Sequence, residues 1–280
     1  MTRRDDPMND LKAVESHFKF GENWSSYSDL IDEDRIRSSV EGLQKLLGDQ
    51  GVLEKHFLDI GCGSGLHSFA ALLLGAKEIV ATDLDADSVK TTEAVLAKHG
   101  ADKPYRVMQA SVFDLPGKLQ QTFDIVYSWG VLHHTGAMVE AIGKAAAMVA
   151  PNGLFAFALY RKTPYCGLWR AEKKWYAREN PRQQGIARAI YVTLFRLGCI
   201  VTGRSFKKYV AEYKKMRGME FLHDVHDWLG GYPYESISPP EVDRLLRGHG
   251  FSLVRRFTRS GLTAVLGSGC DEYVYQKTGP

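Results

Sequence analysis

The chain has 280 residues, four cysteines and a formal net charge of only +3, and 44% of it is hydrophobic, the composition of a soluble globular protein large enough to bury a full core. The polar start Met1-Thr2-Arg3-Arg4-Asp5-Asp6 argues against a signal segment, and no apolar run reaches the roughly 20 residues that cross a bilayer. Cys62, Cys166, Cys199 and Cys270 have neither metal-ligand spacing nor tight pairing, so the expectation is a metal-free protein of the reducing cytoplasm.

Residues 1–50 read as an arm followed by a helix. Phe18 to Tyr27 is rich in aromatic and polar groups, and Tyr27 to Leu47 carries Leu30, Ile31, Ile36, Val40, Leu43 and Leu47 near a 3.6 period. Strands are expected at His56–Ile60, Glu78–Thr82, Tyr105–Gln109, Phe123–Ser128 and Leu154–Tyr160. Helices are expected at His67–Leu74, stopped by Gly75, at Ala86–His99, and at Val139–Val149, before the turn Pro151-Asn152-Gly153. Alternating strands and helices imply a doubly wound α/β sheet with right-handed crossovers. About 75 residues then intervene before Pro239-Pro240-Glu241 starts another helix, too many for a simple crossover loop. Strands at Phe251–Phe257 and Asp271–Gln276 complete the sheet. The division is therefore arm and first helix (1–50), core (51–160), helical insertion (161–237) and the C-terminal part of the core (238–280).

The insertion differs from the rest in charge. Arg161 to Gly218 holds 15 Lys/Arg against 3 Asp/Glu, and the remainder of the chain is net negative. Such a segment favours an anionic partner. Ile186, Ile190, Leu194, Leu197 and Val201 fall at helical spacing within it, with Arg188 and Arg196 elsewhere on the helix.

The chemistry is concentrated in Leu58-Asp59-Ile60-Gly61-Cys62-Gly63-Ser64-Gly65. An apolar strand ends near an acid, and three glycines allow a tight turn and close ligand approach before a helix begins. Asp83 ends the next strand, where a carboxylate can accept from both ribose hydroxyls. A dinucleotide turn reads G-x-G-x-x-G and seats a pyrophosphate on a helix N-terminus. Here the glycines are at 61, 63 and 65, and Asp59 would repel a pyrophosphate but welcome a cation. A ligand with a ribose, an adenine, an ammonium group and no phosphate fits better, which disfavours a nicotinamide dehydrogenase.

These residues, with Ile79–Asp85, Gln109–Pro116 and Phe123–His134, resemble the class I S-adenosylmethionine-dependent methyltransferases in order and spacing, over about residues 55–160. The C-terminal third, with Gly269-Cys270-Asp271-Glu272, is similar to bacterial methyltransferases of glycan and natural-product clusters. The resemblance implies a Rossmann-like, seven-stranded, mostly parallel sheet whose last strand is antiparallel and lies beside the fifth. It also implies S-adenosylmethionine as cofactor and S-adenosylhomocysteine as product. By the same resemblance Asp59, Gly61, Gly63 and Gly65 face the methionine part, Asp83 the ribose, Ser111 and Val112 the adenine, and Ser128 and Trp129 the sulfonium, with Leu84 a further cofactor-binding residue. Trp24 and Tyr27 belong to a covering arm. Core packing is the competing reading for Trp129, and a hydrophobic staple for the arm.

His133 and His134 are the candidate bases, since imidazole titrates near neutrality; the pair also recurs in the family with different acceptors, which suits a structural role. His223, Asp224, Asp227, Tyr232 and Glu235, read as a shaped loop returning to the site, are acceptor candidates. The expected reaction is O-methylation of a polar, anionic small-molecule or glycan acceptor by in-line attack on the sulfonium methyl. A lipid-linked or quinone acceptor with membrane-surface contact through 161–218, or an RNA, is the alternative. A non-catalytic cofactor-binding partner protein is the alternative of another class.

Overall fold

A computed structural model describes residues 33–49, 51–99, 103–217, 221–258 and 269–278. Trp24 and Tyr27 lie outside these residues. Strands β1 (His56–Ile60), β2 (Glu78–Asp83), β3 (Tyr105–Gln109), β4 (Phe123–Trp129), β5 (Val149–Tyr160), β6 (Phe251–Phe257) and β7 (Cys270–Lys277) form one seven-stranded sheet in the order β3-β2-β1-β4-β5-β7-β6. The strands are parallel except β7, which runs antiparallel between β5 and β6. The α/β doubly wound, Rossmann-like class is therefore as expected, including the inserted last strand.

Side-chain alternation sends each strand's residues to two cores. From β1, Leu58 and Ile60 join Val126, Phe155 and Phe157 on one face, against α5 (Met138–Ala147) and α10 (Pro239–Gly248). Phe57 joins Ile79, Ile125 and Ala156 on the other, against α1 (Glu33–Leu47), α2 (Leu66–Leu73) and α3 (Ala86–His99). Phe57, Phe123, Phe155 and Phe157 are fully buried, each stabilising the fold by roughly 1.5–3 kcal/mol. α10 starts with a capping box in which Ser238 and Glu241 satisfy each other's end groups.

Three boundaries differ from the sequence reading. β5 begins at Val149, not Leu154, because Asn152 takes a left-handed φ of 62° and the β4–β5 register shifts between Phe123 and Ile125. The turn residues Pro151-Asn152-Gly153 are thus absorbed as an irregularity in the strand. A short helix α4 (Leu115–Lys118) follows β3, with Pro116 in its first turn. The segment read as a loop from His223 is helical through Gly230, and the loop starts only at Gly231.

Between β5 and α10 lie α6 (Cys166–Arg178), α7 (Pro181–Val201), α8 (Phe206–Arg217) and α9 (Phe221–Gly230). Their own core holds Tyr176, Tyr213, Phe221, Val225 and Leu229, with Tyr191 and Phe195 packed against it. A seam of Tyr160, Cys166 and Tyr234, flanked by Trp169 and Trp228, joins this cap to the sheet. α7 is long and apolar enough to cross a membrane by length and composition, against the expectation from linear runs. Arg182, Arg188 and Arg196 interrupt every apolar run in the sequence, but they occupy only part of the helix circumference.

Candidate active site

The strand order reverses between β1 and β4, the switch point beyond whose strand carboxyl ends sheets of this kind bind ligands. Gly61 follows β1 with φ 77°, and a Cβ there would lie 2.3 Å from Val131 Cγ2 in the segment after β4. Gly65, φ 76°, backs onto Thr92 Cα, 2.9 Å from where its Cβ would be. Only glycine gives both the left-handed backbone and the close approach. Gly63 N–H donates to Asp83 Oδ2 (3.0 Å), and Asp85 N–H donates to Asp83 Oδ1 (2.9 Å). The loop and the second strand are thereby tied through one carboxylate. Burial raises Asp83 to about 6, opposed by those amides.

Asp59 sits beneath this loop, fully buried, with Ser68 Oγ donating to its Oδ2 at 2.6 Å. Burial lifts it to about 7 against the Ser68 hydrogen bond, and the nearby Asp83 adds to the rise. Its burial leaves Asp59 no solvent-facing ligand contact. Cys62 in the same loop is also buried, receives Thr92 Oγ1–H at 3.3 Å, and is pushed well up by burial, so it is an inert thiol.

The end of β3 supplies the neighbouring wall. Ala110 N–H donates to Asp83 O, and Gln109 Nε2–H to Leu84 O (2.9 Å each). Leu84 is exposed, Val112 is buried, and Ser111 Oγ accepts from Phe113 N–H at 3.4 Å, a local turn that occupies the hydroxyl. Gln109, which pairs with Asp83 across the strands, was not singled out in the sequence; its register is set only when β2 meets β3.

Ser128 is not a ligand-facing group. It is fully buried, and its Oγ–H donates to Ile60 O at 3.0 Å, pinning β4 to β1. Trp129 donates Nε1–H to Glu272 Oε1 (3.2 Å), and Glu272 also pairs with Lys45 (3.1 Å). His67 lies 5.3 Å from the Tyr127 ring and 6.3 Å from Trp129, and burial lowers it to about 4 against the pull of Glu272. His67 is therefore neutral near pH 7. Glu272 and His67 complete a cluster that the sequence could not assemble, because β7 enters from more than 140 positions away.

The two histidines separate. His133 is completely buried against Tyr160, centroids 3.9 Å apart, and Tyr160 N–H donates to its Nδ1 at 3.3 Å. That leaves the proton of the neutral ring on Nε2, and burial, with His134 and Lys173 nearby, holds its basicity well down. His133 is thus a packing group, and its reading as a base is corrected. His134 is half-buried and donates Nδ1–H to Pro233 O at 2.8 Å, with the Cε1–Nε2 edge of its ring against Gly231. A carbonyl that fixes the tautomer is the arrangement a general base requires.

The five acceptor candidates divide similarly. Glu235 clamps the segment after β4, its N–H donating to His133 O (3.0 Å) and its Oε2 accepting from Met138 N–H (2.9 Å). Tyr232 is buried in the same loop. His223, Asp224 and Asp227 lie on α9, where Asp224 accepts from Tyr213 Oη. Asp224 and Asp227 help raise the phenol of Tyr160, after burial and Cys270. Among the described residues no group of three or more His, Cys, Asp or Glu could hold a metal.

Residues 53–213, more than half of the chain, match the family model described as "Methyltransferase domain". The chain belongs to this methyltransferase family. It is 33% identical over 107 residues to the ubiquinone biosynthesis O-methyltransferase of Parvibaculum lavamentivorans, covering 38% of this chain and 41% of that protein. Against the ribosomal protein L11 methyltransferase of Citrifermentans bemidjiense it is 41% identical over 116 residues, 41% of this chain and 36% of the relative. The tRNA U34 carboxymethyltransferase of Cellvibrio japonicus is 31% identical over 100 residues, 36% and 31% of the two chains. The methyltransferase thus spans about two fifths or less of these curated relatives. Magnesium protoporphyrin IX methyltransferase from Synechocystis PCC 6803, solved with bound S-adenosylmethionine, shares the fold at TM-score 0.55 and 11% identity over 99% of this chain and all of that one. The N-methyltransferase NodS from Bradyrhizobium japonicum, in complex with S-adenosylhomocysteine, does so at 0.53 and 13%, over 93% of this chain and all of that one.

S-adenosylmethionine is the cofactor of this methyltransferase, and the residues present suit it. Glycine at 61 and 65 gives the loop its left-handed turns and lets it pack directly on Val131 and Thr92, the tight strand–turn–helix geometry such a cofactor requires. Two carboxylates and no cationic side chain in the loop favour a cation over a phosphate. Asp83 keeps lone-pair capacity on its two oxygens beyond the amides of Gly63, Asp85 and Leu84.

Proposed function

We propose that the methyltransferase acts on a hydroxyl of a polar, anionic small-molecule or glycan acceptor held between the sheet and the helical cap. When bound, the cofactor supplies a methyl group on a sulfonium already activated toward a nucleophile. Asp83, fixed by the Gly63 and Asp85 amides, accepts from the ribose hydroxyls. The left-handed turns at Gly61, Gly63 and Gly65 shape the loop that meets the methionine part, and Asp59, when ionised, lends negative potential to the cationic end. Leu84, Ser111 and Val112 line the adenine side, and Trp129, held by Glu272, stands at the end of β4. His134 takes the acceptor proton at Nε2 while Pro233 O steadies the other ring nitrogen. Glu235 holds the His134 segment through His133 O and Met138 N–H. The cap excludes water, which strengthens each of these interactions.

The observation that supports this reading is the His134–Pro233 hydrogen bond, which fixes one tautomer of an imidazole in the segment after β4. The cationic excess of the cap supports an anionic acceptor. A second reading, a lipid-linked acceptor, is favoured by the exposed apolar face of α7. The test is calorimetry with S-adenosylhomocysteine, followed by a labelled-methyl assay on cell extract divided into aqueous anionic, lipid and RNA fractions. Label in the aqueous anionic fraction supports the first reading, and label in lipid the second. Label in RNA alone would overturn both. Binding of S-adenosylhomocysteine with no transfer to any fraction would favour a non-catalytic partner protein.

A further inference from the structure

The stripe Ile186, Ile190, Leu194, Leu197 and Val201, spaced as a core-facing helix side would be, does not face the core. Ile186 is 61% exposed, Leu194 63% and Val201 87%, and Ile190, Leu197 and Ile200 are each more than half exposed. The opposite side of α7 is the one that packs. Phe195 lies 5.0 Å from the Tyr209 ring and 5.8 Å from Phe221, and Cys199 is buried. Arg188, on that inner side, donates to Tyr176 Oη at 2.8 Å. The helix is held along the cap surface by one face while it presents an apolar face about 22 Å long to the outside.

The charge on this helix has one sign. No Asp or Glu occurs between Glu179 and Glu212, whereas Arg182 and Arg196 of α7 are exposed. Arg182 and Arg196 stand one turn before Ile186 and Ile200, along one edge of the stripe. A second copy docked by a two-fold axis would bring together two faces that both carry cations and no anions. An anionic lipid surface offers what both halves of the pattern need: acyl chains for the apolar stripe and headgroup phosphates for the arginines.

We propose that α7 lies in the interface of an anionic membrane, with Ile186, Ile190, Leu194, Leu197 and Val201 inserted and Arg182 and Arg196 at headgroup level. The proposal does not depend on which acceptor is methylated.

The test is sedimentation of the full chain with phosphatidylcholine vesicles, with and without phosphatidylglycerol. The protein pellets with the phosphatidylglycerol vesicles, and added salt weakens the binding. Ile190→Glu with Leu194→Glu lowers the partition coefficient by about a hundredfold or more, while affinity for S-adenosylhomocysteine is unchanged. That unchanged affinity separates this result from a failure of the cofactor site. Arg196→Glu lowers binding to anionic vesicles only. Independently, Leu194→Trp gives a blue-shifted emission when phosphatidylglycerol vesicles are added. Equal pelleting of wild type and the double variant, or no pelleting of either, overturns the proposal. So does a wild-type dimer, seen by gel filtration, that the double variant breaks without any vesicle binding, which would assign the face to a second copy.

Discussion

Replacing Asp59 with Asn should make the ligand-free protein more stable above neutral pH while weakening cofactor binding. Asp59 is 2% exposed, and burial raises its carboxyl from an ordinary 3.8 to about 7. A carboxyl raised on folding binds its proton more tightly in the native than in the unfolded chain. Its contribution is therefore neutral or favourable at low pH, and stability is lost as pH rises from 3.8 to about 7. The full displacement corresponds to on the order of 4 kcal/mol against the ionised form. Asn keeps an oxygen for Ser68 Oγ–H and carries no charge, so it removes this penalty. Urea melts of ligand-free wild type and Asp59→Asn, from about pH 4 to about pH 8, should show the variant ahead by a few kcal/mol at the alkaline end. The gap should close toward the acid end, where Asp59 is protonated in both states. Calorimetry at the alkaline end should show weaker S-adenosylhomocysteine binding to the variant. A stability gap that stays constant with pH, or a variant less stable at the alkaline end, would refute the argument that a buried, ionised Asp59 is kept at a cost for the ligand's cation.

Asp83→Ala removes a hydrogen-bonded charge from the ribose side, and S-adenosylhomocysteine affinity should fall by about 1.5–3 kcal/mol in calorimetry. Gly61→Ala drives a Cβ to 2.3 Å from Val131 in a left-handed backbone and should lower stability by about 2–5 kcal/mol in melts, with partial rescue by Val131→Ala. His134→Gln should reduce kcat on the order of a hundredfold and remove the acid limb of the rate profile; an unchanged profile would exclude the base role. Arg161→Met strips the 2.8 Å partner from the fully buried Asp271, and denaturation should register a loss of about 3–5 kcal/mol.

Much of the sheet was legible because its signals are local. An apolar run of five or six residues closed by glycine or by an acid identifies β1 and β2 without reference to any partner, and α10 announces itself by Ser238-Pro239-Pro240-Glu241. The glycine turn was legible for the same reason, since left-handed backbone at 61, 63 and 65 is a property of those residues alone. The start of β5 was misplaced because Pro151-Asn152-Gly153 has turn chemistry, and only the pairing with Phe123 draws Val149 into the sheet.

The site's side chains were less legible. Ser128 and His133 have the types a ligand site uses, yet both are turned inward to the backbone of Ile60 and Tyr160. His134 instead meets Pro233, 99 positions away. Glu272 reaches Trp129 from 143 positions away, and Asp271 reaches Arg161 from 110.

The sequence by itself determined the cofactor class, because glycine spacing, Asp59 and Asp83 act through backbone geometry and charge within one strand–turn–helix unit. Tertiary structure decided which imidazole is fully buried and which meets a carbonyl, which carboxylates are engaged, and which side of α7 is left bare. A helical period shows that a stripe exists, but whether it is covered depends on what packs beside it. Here Tyr191 and Phe195 fill the cap core from the other side, and the aliphatic stripe is left facing out.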